Sequence, residues 1–320
     1  MKNDALRAFL IFLVVFAFIA LTGRAMAKSF LNPGAGGSEV IALIHVEGMI
    51  LGSATGSTIL GEPVADSLTL CDQLYEARDD ARVKAVVLRI NSPGGSAAAS
   101  DEIFRAVMAV RAKKPVVVSM SDVAASGGYY IASAGNYLFA SASTLTGSIG
   151  VIFQLYNWEE LAKKVGVQSQ TLTAGAYKDI GSPWRDMTPK EREMLEALLK
   201  ETHDQFIKAV DEGRDNLDEA QVRALATGMI YTGLSAQRAG LVDGIGGLHD
   251  ALAKARELAK VGEGVPVEEY GVKSLWETLF KTKVSLNSAP PALSGLMREP
   301  LTALSQALYL STTLRDLQVR

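Results

Sequence analysis

The sequence predicts an α/β protein, parallel strands joined by helical crossovers, carried behind an apolar N-terminal segment. Three observations lead there. From Glu39 onward, strand-like runs alternate with stretches of helical spacing, in β–α units long enough for a crossover. The runs Val40–Val46 and Ala85–Ile90 are rich in apolar, β-branched residues, the pattern of strands buried in a sheet. Ahead of them, Ala8–Gly23 carries no charge and is bracketed by Arg7 and Arg24.

As a helix that N-terminal run is roughly 24 Å long, somewhat short of the ~30 Å hydrocarbon core. Snorkelling of the flanking arginines closes the gap, which predicts a single-pass transmembrane anchor over residues 1–27. Lys2, Arg7 and the later Ala25-Met26-Ala27 also fit a cleavable signal peptide, although Arg24 intrudes on the segment a signal peptidase reads. A buried soluble helix is the third reading. In either membrane reading Lys2 and Arg7 hold the N-terminus in the cytoplasm, and the rest of the chain lies on the extracytoplasmic side.

Residues 28–38, with the stretch NPGAGGS, read as a linker. A domain over 39–283 follows. Its first strand is Val40–Val46, and Val64–Asp79 has helical spacing. Ala85–Ile90 is a strand, Ala97–Arg111 a helix, and Pro115–Met120 a strand. Ala125–Ser133 is a helix opening on a turn of small residues, and Gly147–Phe153 and Val167–Leu172 read as later strands. A long helix starts at Pro189, with Thr188 as N-cap and Glu191 completing a capping box, and Leu248–Leu258 is the last helix. Residues 284–320 hold a Pro-Pro break and an amphipathic segment, Leu293–Leu310, and could pack on the domain, a sister subunit or the membrane.

The net charge of −3 argues against nucleic acid as a partner. A single cysteine, Cys71, excludes an internal disulfide and a cysteine-rich zinc site, and its place in an amphipathic stretch predicts burial. Only three histidines, His45, His203 and His249, are available as bases.

Four segments carry chemistry. Asn91-Ser92-Pro93-Gly94-Gly95 follows a strand and precedes a helix, and is either a plain strand-to-helix turn or one whose glycines present backbone N–H groups to a negative oxygen. Ala124-Ala125-Ser126-Gly127-Gly128 lies at a second strand–helix junction. Ser126 there is either a plain N-cap or a nucleophile with the amide of Gly127 beside it as an oxyanion donor. Thr144–Gly150 places Ser148 among small residues, as a turn or as a hydrogen-bonding member of a site. In Gly175–Pro183 a lysine, Lys178, sits in a loop of Gly, Ser and Pro, where a lysine is ordinarily just solvated. His203 and His249 lie in helices rather than Gly-rich loops, and His45 lies in the first strand.

The ordered set NSPGG, AASGGYYIA, TLTGSIG and YKDIGSPWRDMT closely resembles signal peptide peptidase A in its short, single-domain bacterial form, over residues 39–260. The resemblance implies a Clp-protease/crotonase-like β–α superhelix and a serine peptidase with a Ser–Lys dyad. By it, Ser126 corresponds to the nucleophile, Lys178 to the general base and Ser148 to the residue that orients the lysine amine. The amides of Gly95 and Gly127, with Gly94 close by, correspond to the oxyanion hole. It further implies a homo-oligomer in which neighbouring subunits share sites, a membrane-lipid environment, and peptide substrates such as released signal peptides. No metal or cofactor is needed for this acyl transfer.

A free lysine amine is protonated at neutral pH, so a lysine base needs a surrounding that disfavours the ammonium. Asp179 would oppose that if it faced the amine, so its carboxylate is expected to point away from Lys178. Two rival functions are a crotonase-like acyl-CoA enzyme and a non-catalytic membrane scaffold of the same fold. The apolar N-terminus argues against the first, and the joint presence of Ser126 and Lys178 against the second.

Overall fold

The computed structural model describes residues 38–53 and 63–271. The expected anchor, most of the linker and residues 272–320 lie outside the described residues. Among the described residues no helix is long and apolar enough to cross a membrane.

In chain order the first elements are β1 (Val40–Glu47), β2 (Met49–Leu51), β3 (Val64–Asp66), α1 (Ser67–Asp79), β4 (Val83–Ser92) and α2 (Ala97–Arg111). There follow β5 (Val116–Ala125), α3 (Gly127–Ser133), β6 (Tyr137–Ala140), β7 (Leu145–Gly147), α4 (Glu159–Lys164) and α5 (Pro189–Gly213). The last are α6 (Glu219–Leu225), β8 (Ile230–Thr232), α7 (Gly233–Arg238), β9 (Gly244–Ile245), α8 (Leu248–Ala259) and β10 (Val267–Glu269).

The main sheet is ordered β10-β1-β4-β5-β6-β9 and is parallel along that path. Leu88 of β4 pairs with Ile44 of β1 on one side and Val118 of β5 on the other. Ile41–Ile44, Ala85–Leu88 and Val116–Val118 are buried on both faces, which is why these stretches are continuously apolar. Ile41, Leu43, Val87 and Val117 pack under Ala251, Leu252 and Ala255 of α8. Ile44, Val86, Leu88 and Val118 face the opposite core, where Leu74, Ile103, Val107, Tyr129 and Val210 come from α1, α2, α3 and α5.

The helix signals translate directly. α2 has the expected bounds, and α5 opens with Pro189 after Thr188. Thr188 Oγ1 accepts from the Glu191 amide, and the Glu191 carboxylate accepts from the Thr188 amide at 2.8 Å. Cys71 is buried, as its stretch predicted.

Three expectations need correction. Val64–Asp66 is a strand paired with β2, and Asp66 then caps α1, so the helix starts at Ser67 rather than Val64. β5 continues five residues past Met120 because its second half changes partner: Val117–Ser119 pair with β6, whereas Val123–Ala125 pair with β7. The expected strands Gly147–Phe153 and Val167–Leu172 do not form beyond the end of β7. An extended segment becomes a strand only where a neighbour completes its hydrogen bonds. Among the described residues no strand pairs with residues 148–158 or 165–188, and Ile152 and Leu172 are 88% and 90% exposed.

Candidate active site

The change of partner along β5 sets the position of Ser126. Pairing with β7 carries β5 to Ala125, and the Ser126 amide adds one more bond, donating to Gly147 O at 2.8 Å. The chain then turns at once into α3, whose Tyr130 amide donates back to Ser126 O at 2.9 Å. Joining strand to helix with no intervening loop forces Ser126 to φ +51°, ψ −121°, a conformation that is costly for a residue with a Cβ. Its side chain makes no capping bond to the helix, so a plain N-cap serine is excluded. Three non-glycine residues have positive φ among the described residues, and two of them, Ser126 and Ser148, line one cleft.

The turn after β4 lies against this serine. The Ser92 hydroxyl donates to Gly48 O at 2.6 Å and accepts from the Gly94 amide at 3.1 Å, fixing the first half of the turn. Ile50 fixes the second half: its amide donates to Gly94 O at 2.9 Å, and its carbonyl accepts from the Ser96 amide at 2.8 Å. Both bonds flank Gly95, so its own N–H points away from Ile50. Gly94 has φ +104°, and a Cβ there would stand 2.8 Å from both the Gly127 nitrogen and Ser126 Cβ. A Cβ on Gly127 would meet Ser100 Oγ at 2.3 Å and the Gly95 nitrogen at 3.3 Å. The two backbone segments approach this closely because neither carries a side chain. Gly127 opens α3, where an amide has no intrahelical acceptor. The amides of Gly95 and Gly127 thus lie beside Ser126 in an arrangement able to hold a developing oxyanion.

The cleft has a volume of about 1260 Å3, room for several residues of an extended peptide. Gly95, Ser126, Gly127 and Ser148 line it. The Ser148 amide donates to Met229 O at 2.8 Å, which ties its turn to β8. Among the described residues no group of three or more His, Cys, Asp or Glu is placed to hold a metal ion.

Lys178 is not brought to the cleft. It stands exposed in a turn whose Lys178 amide donates to Gly175 O at 3.2 Å. The adjacent Asp179 carboxylate is engaged by Arg185, at 2.9 and 3.0 Å, and points to that partner rather than to the lysine. The same guanidinium bonds Glu191, so the Lys178 loop is pinned to the start of α5. The hydrogen bonds from Arg185 hold Asp179 below the usual carboxylate range and Glu191 down to about 2.

Residues 108–262 match the model of peptidase family S49, and residues 53–145 match that of Clp protease. A "Putative protease" of Methanocaldococcus jannaschii is 36% identical over 83% of this chain and 87% of its own length. The chain belongs to peptidase family S49. This S49 peptidase is also 34% identical to a "Putative signal peptide peptidase SppA" of Enterococcus faecium, over 76% of this chain and 70% of that one. It is 41% identical to Protease 4 of Salmonella typhi over 69% of this chain, a match that spans 35% of that longer protein. The S49 peptidase is therefore a serine peptidase built on a mixed α/β fold with a Clp-protease-like domain.

The structure adds cleft residues that the motifs did not identify. Tyr130 and Asp101 line it and are joined by a hydrogen bond of 3.1 Å, and burial raises the Tyr130 phenol. From α5 come Leu199, His203 and Phe206. The sequence placed His203 merely in a helix, outside the Gly-rich loops. Yet Leu199, His203, Phe206 and Val210 recur at helical spacing, and that periodicity was the available sign that this face turns inward.

Proposed function

We propose that this S49 peptidase cleaves peptides by acyl transfer, with Ser126 as nucleophile and Lys178 as general base. The carrying observation is the strained Ser126 held against the Gly94-Gly95 turn, with the Gly127 amide alongside. Ser126 attacks the carbonyl carbon while its proton passes to the lysine amine, and the Gly95 and Gly127 amides hold the resulting oxyanion. The lysine then protonates the leaving amine, and water releases the acyl-enzyme. Ser148 orients the amine.

The lysine comes from a neighbouring subunit in this reading. Two features support it: Lys178 is exposed and absent from the cleft lining of its own chain, and the segment carrying it exposes Ile152, Phe153, Tyr156, Trp158 and Leu172. An apolar surface of that kind is suited to burial against a second copy. Anchoring through Ala8–Gly23 puts the catalytic domain on the extracytoplasmic side of the cytoplasmic membrane, beside lipid and the apolar signal peptides released there. The protein with "signal peptide peptidase" in its name among its relatives favours that substrate class.

The test is complementation. Ser126→Ala and Lys178→Ala are each expected to be inactive on an apolar fluorogenic peptide, and subunit exchange between them should restore part of the activity. Cleavage by either variant alone sinks the dyad. A fully active monomer in sedimentation sinks the shared site.

A further inference from the structure

We propose that His203 is a specificity-determining residue of the cleft, selecting a substrate side chain with an apolar body and an uncharged hydrogen-bonding tip. This deepens the peptidase reading above and depends on it.

The charged groups around the cleft already have partners. Asp101 accepts from Arg105 Nε at 2.7 Å and from the Tyr130 hydroxyl at 3.1 Å, and Lys200 is paired with Asp204 at 2.6 Å. None of these is free to select a charged substrate residue without first losing an ion pair. His203 is different. It lines the same cleft as Ser126, and its Nε2 is shielded from water with no hydrogen-bond partner. Among the described residues only one other buried side-chain nitrogen or oxygen is in that state, Arg214 Nε, which does not line the cleft. A shielded imidazole nitrogen left unpaired is destabilising, and a ring turned towards the cleft, with a bound side chain supplying the missing bond, removes that deficit.

The surroundings define what supplies it. Ala97, Ala98, Leu199, Tyr130 and Phe206 line the same cleft and supply carbon for the body of an entering side chain. Tyr130 is itself held between Phe104 and Phe206, with ring centroids 5.4 and 4.7 Å away, and forms a stiff surface. No hydrogen bond among the described residues fixes the His203 ring, so rotation about its Cβ–Cγ bond can turn Nε2 towards the cleft. A neutral imidazole offers one N–H and one lone pair, which complements a hydroxyl or a carboxamide and penalises an aliphatic tip. The cleft is therefore not uniformly selective for apolar residues: one subsite discriminates by hydrogen bonding.

The experiment uses the full-length protein in detergent and peptides varied one position at a time across three residues on each side of the cleaved bond. Two near-isosteric pairs are compared, Gln against Met and Tyr against Phe. Wild type is expected to prefer the polar member at one position by roughly tenfold in kcat/KM, expressed mainly in KM. His203→Leu should abolish that preference, and His203→Gln, which keeps a donor and an acceptor, should retain most of it. Thermal unfolding close to that of wild type in both variants separates lost selectivity from a damaged fold, and His203→Gln alone carries the test where His203→Leu does not fold. Absence of the preference in wild type, its persistence in His203→Leu, or its loss in His203→Gln overturns the proposal. Cleavage that persists in Ser126→Ala overturns the nucleophile assignment and this proposal together, whereas its loss there with an unchanged His203→Leu profile overturns this proposal alone.

Discussion

Gly94→Ala tests the architecture of the site at the point where two backbone segments meet. The added Cβ would stand 2.8 Å from the Gly127 nitrogen, 2.8 Å from Ser126 Cβ and 3.1 Å from Ala125 O. Carbon atoms in ordinary contact lie about 3.5–4.0 Å apart, so the β4–α2 turn and the Ser126 junction must separate by roughly 0.7 Å or more. That movement withdraws the Gly95 amide from the oxyanion position and covers the Gly127 amide. Loss of one such donor costs about 100- to 1000-fold in kcat, or about 2.7–4 kcal/mol of transition-state stabilisation. Alanine at φ +104° adds about 1–3 kcal/mol of backbone strain to the folded state. The assay is steady-state hydrolysis of a fluorogenic peptide beside thermal unfolding. Gly166→Ala serves as the control, since that residue also has positive φ (+75°) but its Cβ would meet nothing within 4 Å. It should lose stability without losing turnover. A Gly94→Ala enzyme within about threefold of wild type would refute the proposed oxyanion geometry.

Three further outcomes are expected. Asp179 and Glu191 have folded-state pKa values depressed by Arg185, so their stabilising contribution is complete above the ordinary carboxylate range and is lost as pH falls through the folded values, about 2 for Glu191. Trp184 fluorescence should therefore report loosening of the Lys178 loop between about pH 4.5 and 2, with the midpoint moved upward in Arg185→Gln; a pH-independent signal over that window would count against the pin. Arg214, 3% exposed, grips Asp243 through bonds of 2.6 and 2.9 Å, and Asp243 also accepts from the Leu138 amide. Removing it in Arg214→Ala strands a partly buried carboxylate and should cost about 3 kcal/mol in urea unfolding, a loss under about 1 kcal/mol being the contrary result. Burial pushes the Cys71 thiol up to about 11, so at pH 8 the native protein should resist alkylation and become reactive only on unfolding; rapid native labelling would contradict its placement in the core.

Much of this was legible in the chain itself. Apolar, β-branched runs separated by helical spacing determine a parallel sheet covered on both faces, because only crossover helices can bury such strands twice. The capping box at Thr188–Glu191 determines where α5 begins, since a side chain that satisfies orphan amides works locally. Small residues at Gly94, Gly95, Gly127 and Gly128 marked the two turns that approach each other, as a close backbone crossing excludes any Cβ. Tertiary structure decided what depends on neighbours distant in sequence. Val123–Ala125 became strand because β7 was there to pair with them, and residues 167–172 did not because no strand among the described residues pairs with them. Whether Ser126 caps a helix or stands free is likewise a matter of φ and ψ imposed by the junction with β7, which no motif states. Most of all, a sequence records that His203 lies on a helix and Lys178 in a loop, but not which of them lines the cleft that holds the serine. Packing of α5 brings His203 to the cleft and leaves Lys178 outside it, because position in a folded chain is set by long-range contact and not by the residue's own chemistry.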